Sequence, residues 1–284
     1  MAHNLQQLKK RIKTSQSIAQ ITKAMEMIAA SKIRKAQTAV ERYNPYAKKI
    51  MSMTQHVLLD KDLHEYIVKY VKRRAGKKLV YVISPDKGLC GGLTVNLCKK
   101  LESVVLKDDY VVSIGKKAIN YSAKYDLNVL ASFASGMSFP RYEDIYPMID
   151  IAKKIYFSGE AASVSVVYTE FKNMLVQEAV ETEIFPVKRD ENFKDDSEID
   201  YIFEPSAAQV LEDLMPFYFE VEFYDALMNA YASEQAARMM AMKNAKENAN
   251  DIALSLTNIY NRSRQEKITN EILDLANGLT TDNR

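Results

Sequence analysis

The sequence predicts a mixed α+β fold, in which long helices at the two ends form an antiparallel coiled coil and flank a central Rossmann-like α/β domain. Residues 217–277 contain neither Gly nor Pro, which favours one long helix. Seven of the eight glycines lie within residues 76–159, where short β-branched runs alternate with helical patterns. The expected divisions are an amino-terminal helix at 1–58, a connector at 59–78, the α/β domain at 79–205 and a carboxy-terminal helix at 206–284.

Apolar residues recur by threes and fours through the amino-terminal helix, which is expected from residue 4 to about residue 57. Pro45 lacks a backbone donor and its ring collides with the preceding turn, so we expect a kink near Arg42. Basic residues crowd the other faces, and like charges weaken an isolated helix. Packing against a second helix is therefore expected along the stripe Leu5, Leu8, Ile12, Ile18, Ile21, Met25, Ile28, Ile33, Ala36, Val40, Tyr43, Ala47 and Ile50.

The carboxy-terminal helix carries a seam with a period of about 3.5 residues, which is typical of a helix that winds on another helix. A short helix is expected first, at Ser206–Leu214, with Pro216 separating it from the long one. At about 1.5 Å per residue the long helix would reach roughly 90 Å, too far for a compact domain to cover. Its partner is another helix of this chain or another protein, along the seam Tyr231, Gln235, Arg238, Met242, Ala245, Ala249, Ile252, Leu256 and Ile259.

The middle of the chain predicts strands that alternate with helices, and this alternation implies parallel βαβ units. The helices are expected at Leu93–Leu106, Lys116–Tyr125 and Tyr142–Ser158, and an acidic loop at Asp190–Asp200. The first strand is apolar and β-branched, as in strands buried on both faces. Strands are expected at Leu79–Ile83, Tyr110–Ile114, Leu127–Phe133, Val164–Tyr168, Leu175–Phe185 and, briefly, Tyr201–Phe203.

Charge is unevenly distributed along the chain. The net charge is only +2, but residues 1–78 hold 18 Lys and Arg against 5 Asp and Glu. A basic end favours an anionic neighbour, and a nucleic acid is one alternative. No aromatic residue for base stacking precedes Tyr43, so a protein-facing helix is favoured. No apolar run approaches eighteen residues and the amino terminus is charged, so we expect a soluble, unexported chain that does not insert into a bilayer.

One turn, Gly88–Gly92, resembles a phosphate-binding loop because it follows a strand and precedes a helix. It lacks the Gly-Lys-Ser/Thr ending of a P-loop and the GxGxxG spacing, so a structural turn is favoured. The alternative is a nucleotide-binding enzyme with a dimerising coiled coil. Three histidines and two cysteines, Cys90 and Cys98, form no metal-ligand or catalytic pattern. We therefore expect no catalytic residue, no metal and no cofactor.

Four blocks of sequence, in order, resemble the γ subunit of bacterial F-type ATP synthases. Residues 20–37, QITKAMEMIAASKIRKAQ, resemble its amino-terminal helix, and residues 86–91, DKGLCG, its strand-end turn. Residues 233–245, SEQAARMMAMKNA, resemble its carboxy-terminal helix. Arg264-Gln265 and residues 268–274, ITNEILD, resemble its terminal signature. The cysteine-bearing insertion of the chloroplast branch is absent, so no thiol switch is expected.

The resemblance implies a rotor shaft, without an active site of its own, between an ion-driven membrane ring and a head of three α and three β subunits. It implies α, β, ε and the c-ring as partners, and a peripheral position on the cytoplasmic face of the bacterial inner membrane. A catch that hydrogen-bonds to a β-subunit loop would consist of Arg264, Gln265 and Thr269. The residues implied to face an acidic lever segment of β are Lys23, Met25, Lys32, Arg34 and Lys35.

Overall fold

The computed structural model describes residues 2–59, 70–72, 75–135, 139–188 and 203–281. A long helix lies at each end of the chain, α1 at Ala2–Leu59 and α5 at Ala207–Thr281. The strands are β1 Lys78–Ile83, β2 Tyr110–Ile114, β3 Asn128–Phe133, β4 Ser163–Phe171 and β5 Gln177–Phe185. The shorter helices are α2 Leu93–Val104, α3 Lys116–Lys124 and α4 Tyr146–Phe157, with a 3₁₀ turn at Tyr142–Ile145 before α4. This confirms the predicted fold class.

The five strands form one sheet in the order β3-β2-β1-β4-β5. The first four are parallel, as predicted, with Val80 opposite Val111 of β2 and Ser165 of β4. Strand β5 is antiparallel to β4. Only residues 172–176 join these two strands, too few for the crossover that a parallel pair needs. The turn is closed by Asn173, whose carbonyl oxygen Oδ1 accepts the backbone N–H groups of Leu175 and Val176, both at 2.9 Å.

The structure corrects one predicted boundary in α5. The expected short helix at Ser206–Leu214 is wrong, because α5 continues through Pro216. A proline removes one helical hydrogen bond, but burial of Tyr218 and Phe219 in the next turn favours continuation. Helix α1 likewise continues through Pro45. The predicted loop Asp190–Asp200, residues 201–202 of the predicted strand Tyr201–Phe203, and connector residues 60–69 and 73–74 lie outside the described residues.

The chain divides into two compact units, and residues 30–238 form the larger one, called here the sheet unit. One face of its sheet packs with α4 and the first turns of α5 in an aromatic core. There the rings of Tyr81 and Phe223 meet edge to face at 5.1 Å, and those of Phe185 and Phe219 stack at 5.8 Å. The opposite face packs with α2, mainly through Leu97 and Leu101. The sheet is therefore covered on both faces, which explains why β1 is buried along nearly its whole length.

The end of β1 and the start of α3 are joined at Ser84. Its hydroxyl donates to the carbonyl of Ile114 at 3.1 Å and accepts the N–H of Ala118 at 2.7 Å. Its backbone N–H also donates to Ile114, at 2.9 Å. Gly115 lies against this loop with a φ of +89°, and an added Cβ would lie 2.0 Å from the carbonyl oxygen of Ser84. Only glycine fits this close approach.

Residues 1–29 and 239–284 form the smaller unit, called here the helical unit. The beginning of α1 and the end of α5 share it, and the Nζ of Lys246 lies 2.7 Å from the Oε2 of Glu26. Positions that are buried or half-buried in α1 follow alternating threes and fours: Leu5, Leu8, Ile12, Ser15, Ala19, Thr22, Glu26 and Ala29. The corresponding positions of α5 are Met242, Lys246, Ala249, Ala253, Leu256, Tyr260, Ser263 and Lys267. Both series have the coiled-coil period of about 3.5 residues.

The predicted seam was wrong in part of each helix of the helical unit. The predicted α1 residues Ile18, Ile21, Met25 and Ile28 are exposed, and the seam runs one position later through smaller side chains. In α5 the predicted Ile252 and Ile259 are also exposed, and Ala253 and Tyr260 take their places. In the sheet unit, by contrast, the α1 stripe is buried or half-buried as predicted, at Ile33, Ala36, Val40, Tyr43, Ala47 and Ile50.

Candidate partner-binding surfaces

The helical unit carries large apolar side chains on its outside, called here the apolar outer surface. Met25 is the least exposed of them, at 38%, and Leu254 the most, at 65%. Eleven exposed apolar side chains of this size in one pair of helices favour contact with another molecule. Its residues are Ile18, Ile21, Met25, Met27 and Ile28 of α1, with Ile252, Leu254, Ile259, Ile268, Ile272 and Leu273 of α5.

The three predicted catch residues, Arg264, Gln265 and Thr269, all lie exposed on α5 in the helical unit. Gln265 and Thr269 are one helical turn apart and share a face. Arg264 forms no ion pair with any residue that the structure describes. Its neighbours Arg262 and Lys267, by contrast, pair with Glu266 at 3.1 Å and Glu271 at 3.4 Å. The segment therefore presents an available guanidinium, an amide and a hydroxyl to the outside, beside the apolar outer surface.

The five predicted lever residues are divided between the two units. Lys23 and Met25 belong to the helical unit and are exposed, which places Met25 outside the seam in which its spacing had predicted it. Arg34 and Lys35 are exposed in the sheet unit, and Lys32 is half-buried there. Neither Arg34 nor Lys35 pairs with a carboxylate of the described chain. These two cations are therefore free to meet a negatively charged neighbour.

The turn after β1 is held by α5, a contact that periodicity alone did not predict. Nη2 of Arg238 donates to the carbonyls of Lys87 and Gly88 at 3.5 and 3.4 Å, and Nη1 lies 2.6 Å from the carboxylate of Glu234. Asp86 accepts the backbone N–H of Lys116 at 2.9 Å. The turn lies in residues 86–91 and Arg238 in residues 233–245, two of the sequence blocks that carry the family resemblance. That resemblance was the signal in the sequence from which this contact could have been found. The Gly88–Gly92 loop thus has a structural role in joining β1 to α5.

The described residues contain no group of three or more His, Cys, Asp or Glu side chains that could hold a metal ion. Cys90 is buried and Cys98 half-buried, and both are free thiols. Among the helices that the structure describes, none is long and apolar enough to cross a membrane.

The chain joins a unit of two paired helices, whose outside is apolar, to a domain with a mixed sheet. This combination defines a class of protein: a subunit that acts through contact with its partners. A family model described as ATP synthase matches residues 4–281. The ATP synthase gamma chain of Dehalococcoides mccartyi is 37% identical over 97% of this chain and 98% of its own length. That of Desulforamulus reducens is 36% identical over 95% and 96%. This chain belongs to the ATP synthase gamma chain family.

Solved structures share the fold. A chain of the Euglena gracilis mitochondrial ATP synthase, from the OSCP/F1/c-ring structure in rotational state 3, matches with a TM-score of 0.70. It is 18% identical, and the match covers 99% of this chain and 95% of that one. A chain from the rotor of the same enzyme in rotational state 1 matches with a TM-score of 0.66 over 94% of this chain and 100% of that one.

Proposed function

We propose that this chain is the rotor shaft of an F-type ATP synthase, which couples ion flow through a membrane c-ring to ATP synthesis or hydrolysis at the β subunits. The observation that carries the proposal is the arrangement of the helical unit. Small residues such as Ala19 and Ala253 lie in its seam, while large apolar residues such as Ile21 and Ile28 face outward. Leaving these side chains in water costs about 1.5–3 kcal/mol each compared with burying them. A surrounding partner, here the head of α and β subunits, would remove that cost.

The shaft works by presenting different surfaces to equal neighbours. On α1 the apolar Ile21 is followed two residues later by the cation Lys23, so the outside of the helical unit is chemically uneven. Three identical β subunits around it therefore make contacts of different free energy at any one moment. A difference of about 1.4 kcal/mol changes the populations of two conformations tenfold. Rotation of the shaft passes these differences from one β subunit to the next.

In addition to the apolar contacts, the three catch residues would supply directional hydrogen bonds. The exposed guanidinium of Arg264, the amide of Gln265 and the hydroxyl of Thr269 can each donate a hydrogen bond to a loop of β. Hydrogen bonds that involve a charged group contribute about 1.5–3 kcal/mol, so Arg264 would contribute most. Such contacts hold one angular position of the shaft until the next step breaks them.

The basic residues would act through charge. Lys23, Lys32, Arg34 and Lys35 face an acidic lever segment of β in this proposal, and Met25 adds an apolar contact. Attraction between exposed charges is weak and needs no fixed geometry, about 0–1 kcal/mol for each pair. That suits two surfaces that slide past each other. The interaction would weaken as salt concentration rises, because the screening length falls to about 8 Å at physiological ionic strength.

The subunit itself would carry no active site, and catalysis would belong to its partners. Support comes from the Gly88–Gly92 turn, because Arg238 of the same chain contacts the carbonyl of Gly88 and that of Lys87 just before it. The ε subunit and the c-ring would bind elsewhere on the chain. Together these partners would hold the chain at the cytoplasmic face of a bacterial inner membrane, as a peripheral protein.

Reconstitution tests the proposal. A tagged full-length chain is mixed with α and β subunits, the complex is isolated, and rotation of a bead on the tagged chain is followed while ATP is hydrolysed. The double variant Ile21→Gln with Ile28→Gln is expected to weaken assembly about tenfold or more, because it removes two outward apolar contacts. Leu106→Gln is the matched control, since Leu106 is 69% exposed but lies in the sheet unit. Failure of the wild-type chain to assemble, or equal effects of these variants, would contradict the proposal.

A further inference from the structure

The sheet unit contains a wide, solvent-open cavity of about 840 Å³ with aromatic walls. Rings from α1, α5 and the segment before α4 line it. The rings of Tyr43 and Tyr224 meet edge to face at 4.9 Å, those of Tyr142 and Tyr224 at 5.2 Å, and those of Tyr43 and Tyr46 lie 5.9 Å apart. Phe139 completes the wall. Sites for small molecules typically measure about 300–1,000 Å³ and are mostly apolar, so this cavity has their size and character.

Positive charge is concentrated at the edge of the cavity. Arg34, Lys35 and Arg42 line it from one helix, and all three are exposed. No Asp or Glu lies among the lining residues. Within the described part of the chain, none of these three cations pairs with a carboxylate. An anionic group that entered the cavity would therefore meet three cations that no ion pair neutralises, although the carboxylate of Glu220 lies behind the wall, hydrogen-bonded to Tyr142.

The wall also contains a hydrogen-bond donor that lacks an acceptor. The hydroxyl of Tyr43 is buried and has no hydrogen-bond partner in the described chain. Burial raises the pKa of Tyr43, so this hydroxyl stays protonated. Its neighbours are satisfied, since the Tyr142 hydroxyl donates to Glu220 at 2.9 Å and the Tyr224 hydroxyl donates to the carbonyl of Pro140 at 3.4 Å. The Tyr43 hydroxyl is not open to the cavity, so the ring of Tyr43, and not its oxygen, forms part of the wall.

We propose that this cavity is a binding site for a planar aromatic anion, whose ring packs on the tyrosine wall and whose anionic group contacts the guanidinium of Arg42. A flat ring satisfies the offset and edge-to-face contacts that tyrosines favour, and guanidinium groups bind anionic oxygens with two parallel hydrogen bonds. The aromatic walls favour a flat ring over the aliphatic carboxylates of an acidic protein segment. The proposal goes beyond the shaft function and depends on Arg42, which is not one of the lever residues.

Calorimetric titration of the full-length chain with naphthalene-2-sulfonate tests the site, with the uncharged naphthalene-2-sulfonamide as the matched ligand. One sulfonate is expected to bind per chain, about tenfold more tightly than the sulfonamide, because a hydrogen bond to a charged group contributes at least that much. Arg42→Gln is expected to remove most of this preference. Tyr46→Ala is expected to lower the affinity for both ligands. Both variants should fold, because Arg42 and Tyr46 are exposed.

Lys124→Gln is the matched control, because the Nζ of Lys124 lies 5.2 Å from the ring centre of Tyr125, outside the cavity. Unchanged binding in this variant supports the assignment. Equal binding of the two naphthalenes, or a sulfonate preference that survives Arg42→Gln, would overturn it. The same titration of the complex with α and β gives a second criterion. Binding retained in the complex supports a ligand site, whereas binding lost there assigns the cavity to a protein contact and overturns the proposal.

Discussion

Replacing Gly115 by Ala is expected to destabilise the sheet unit by about 3–5 kcal/mol. A φ of +89° is strained for any residue with a Cβ, at about 1–3 kcal/mol. The new methyl group would also lie 2.0 Å from the carbonyl oxygen of Ser84, a backbone atom that cannot rotate away. Moving this oxygen disturbs the hydrogen bonds that Ser84 makes with Ile114 and with Ala118, which contribute about 1 kcal/mol each.

Urea unfolding of the full-length chain measures this loss. Far-ultraviolet circular dichroism would report mainly α1 and α5, so the near-ultraviolet tyrosine signal is the better probe. The chain has 17 Tyr and no Trp, and Tyr81 is fully buried in the sheet. Gly88→Ala is the control, since its added Cβ meets nothing within 4 Å, and it should change stability by less than about 0.5 kcal/mol. A loss below about 1 kcal/mol in Gly115→Ala, or an equal loss in the control, would refute the reasoning.

Three further predictions concern the helices. Truncation after Asn261 removes the catch segment and is expected to lower ATP synthesis in reconstituted vesicles severalfold, while the near-ultraviolet signal of the sheet unit stays unchanged. Lys246→Met is expected to destabilise the helical unit by about 1–2 kcal/mol, because Glu26 is then partly buried without its cation. A double-mutant cycle with Glu26→Gln should show a coupling free energy of about 1 kcal/mol between the two side chains. Burial raises the pKa of Glu222 from 4.5 to about 7. The folded state therefore binds this proton more tightly than the unfolded state, so stability should fall as pH rises from about 4.5 to 7, on the order of 3 kcal/mol in all. Unfolding midpoints of Glu222→Gln should show a smaller slope, the remainder coming from Asp225, whose pKa is also raised by burial.

The seam of the helical unit illustrates what the sequence could and could not predict. The period of about 3.5 residues was visible and correct, because it depends only on spacing. The choice of face was wrong at Ile18, Ile21 and Ile28, because large apolar residues were assumed to meet the partner helix. Ala19, Thr22 and Ala29 meet it instead. A single chain carries no signal that separates an apolar face covered by its own helix from one covered by another protein.

Elements in the sheet unit were easier to predict than the contacts between them. The strand Tyr110–Ile114 was predicted with its observed bounds, since a β-branched run between turns defines it locally. The antiparallel direction of β5 depends on the length of its connection to β4, and the contact of Arg238 with the Gly88 turn joins residues about 150 positions apart. Long-range pairings of this kind follow from tertiary packing, which periodicity does not encode. The exposed positions of Arg264, Gln265 and Thr269 likewise became visible only with the structure.

The ion pair between Glu26 and Lys246 has a consequence for a shaft under load. Beside this pair the seam is lined by small side chains, Ala19, Thr22, Ala249 and Ala253, which offer little resistance to one helix sliding along the other. A slip of seven residues would carry the two charges about 10 Å apart and leave each of them without its counter-ion. The pair therefore favours one axial alignment of the two helices over a slipped one.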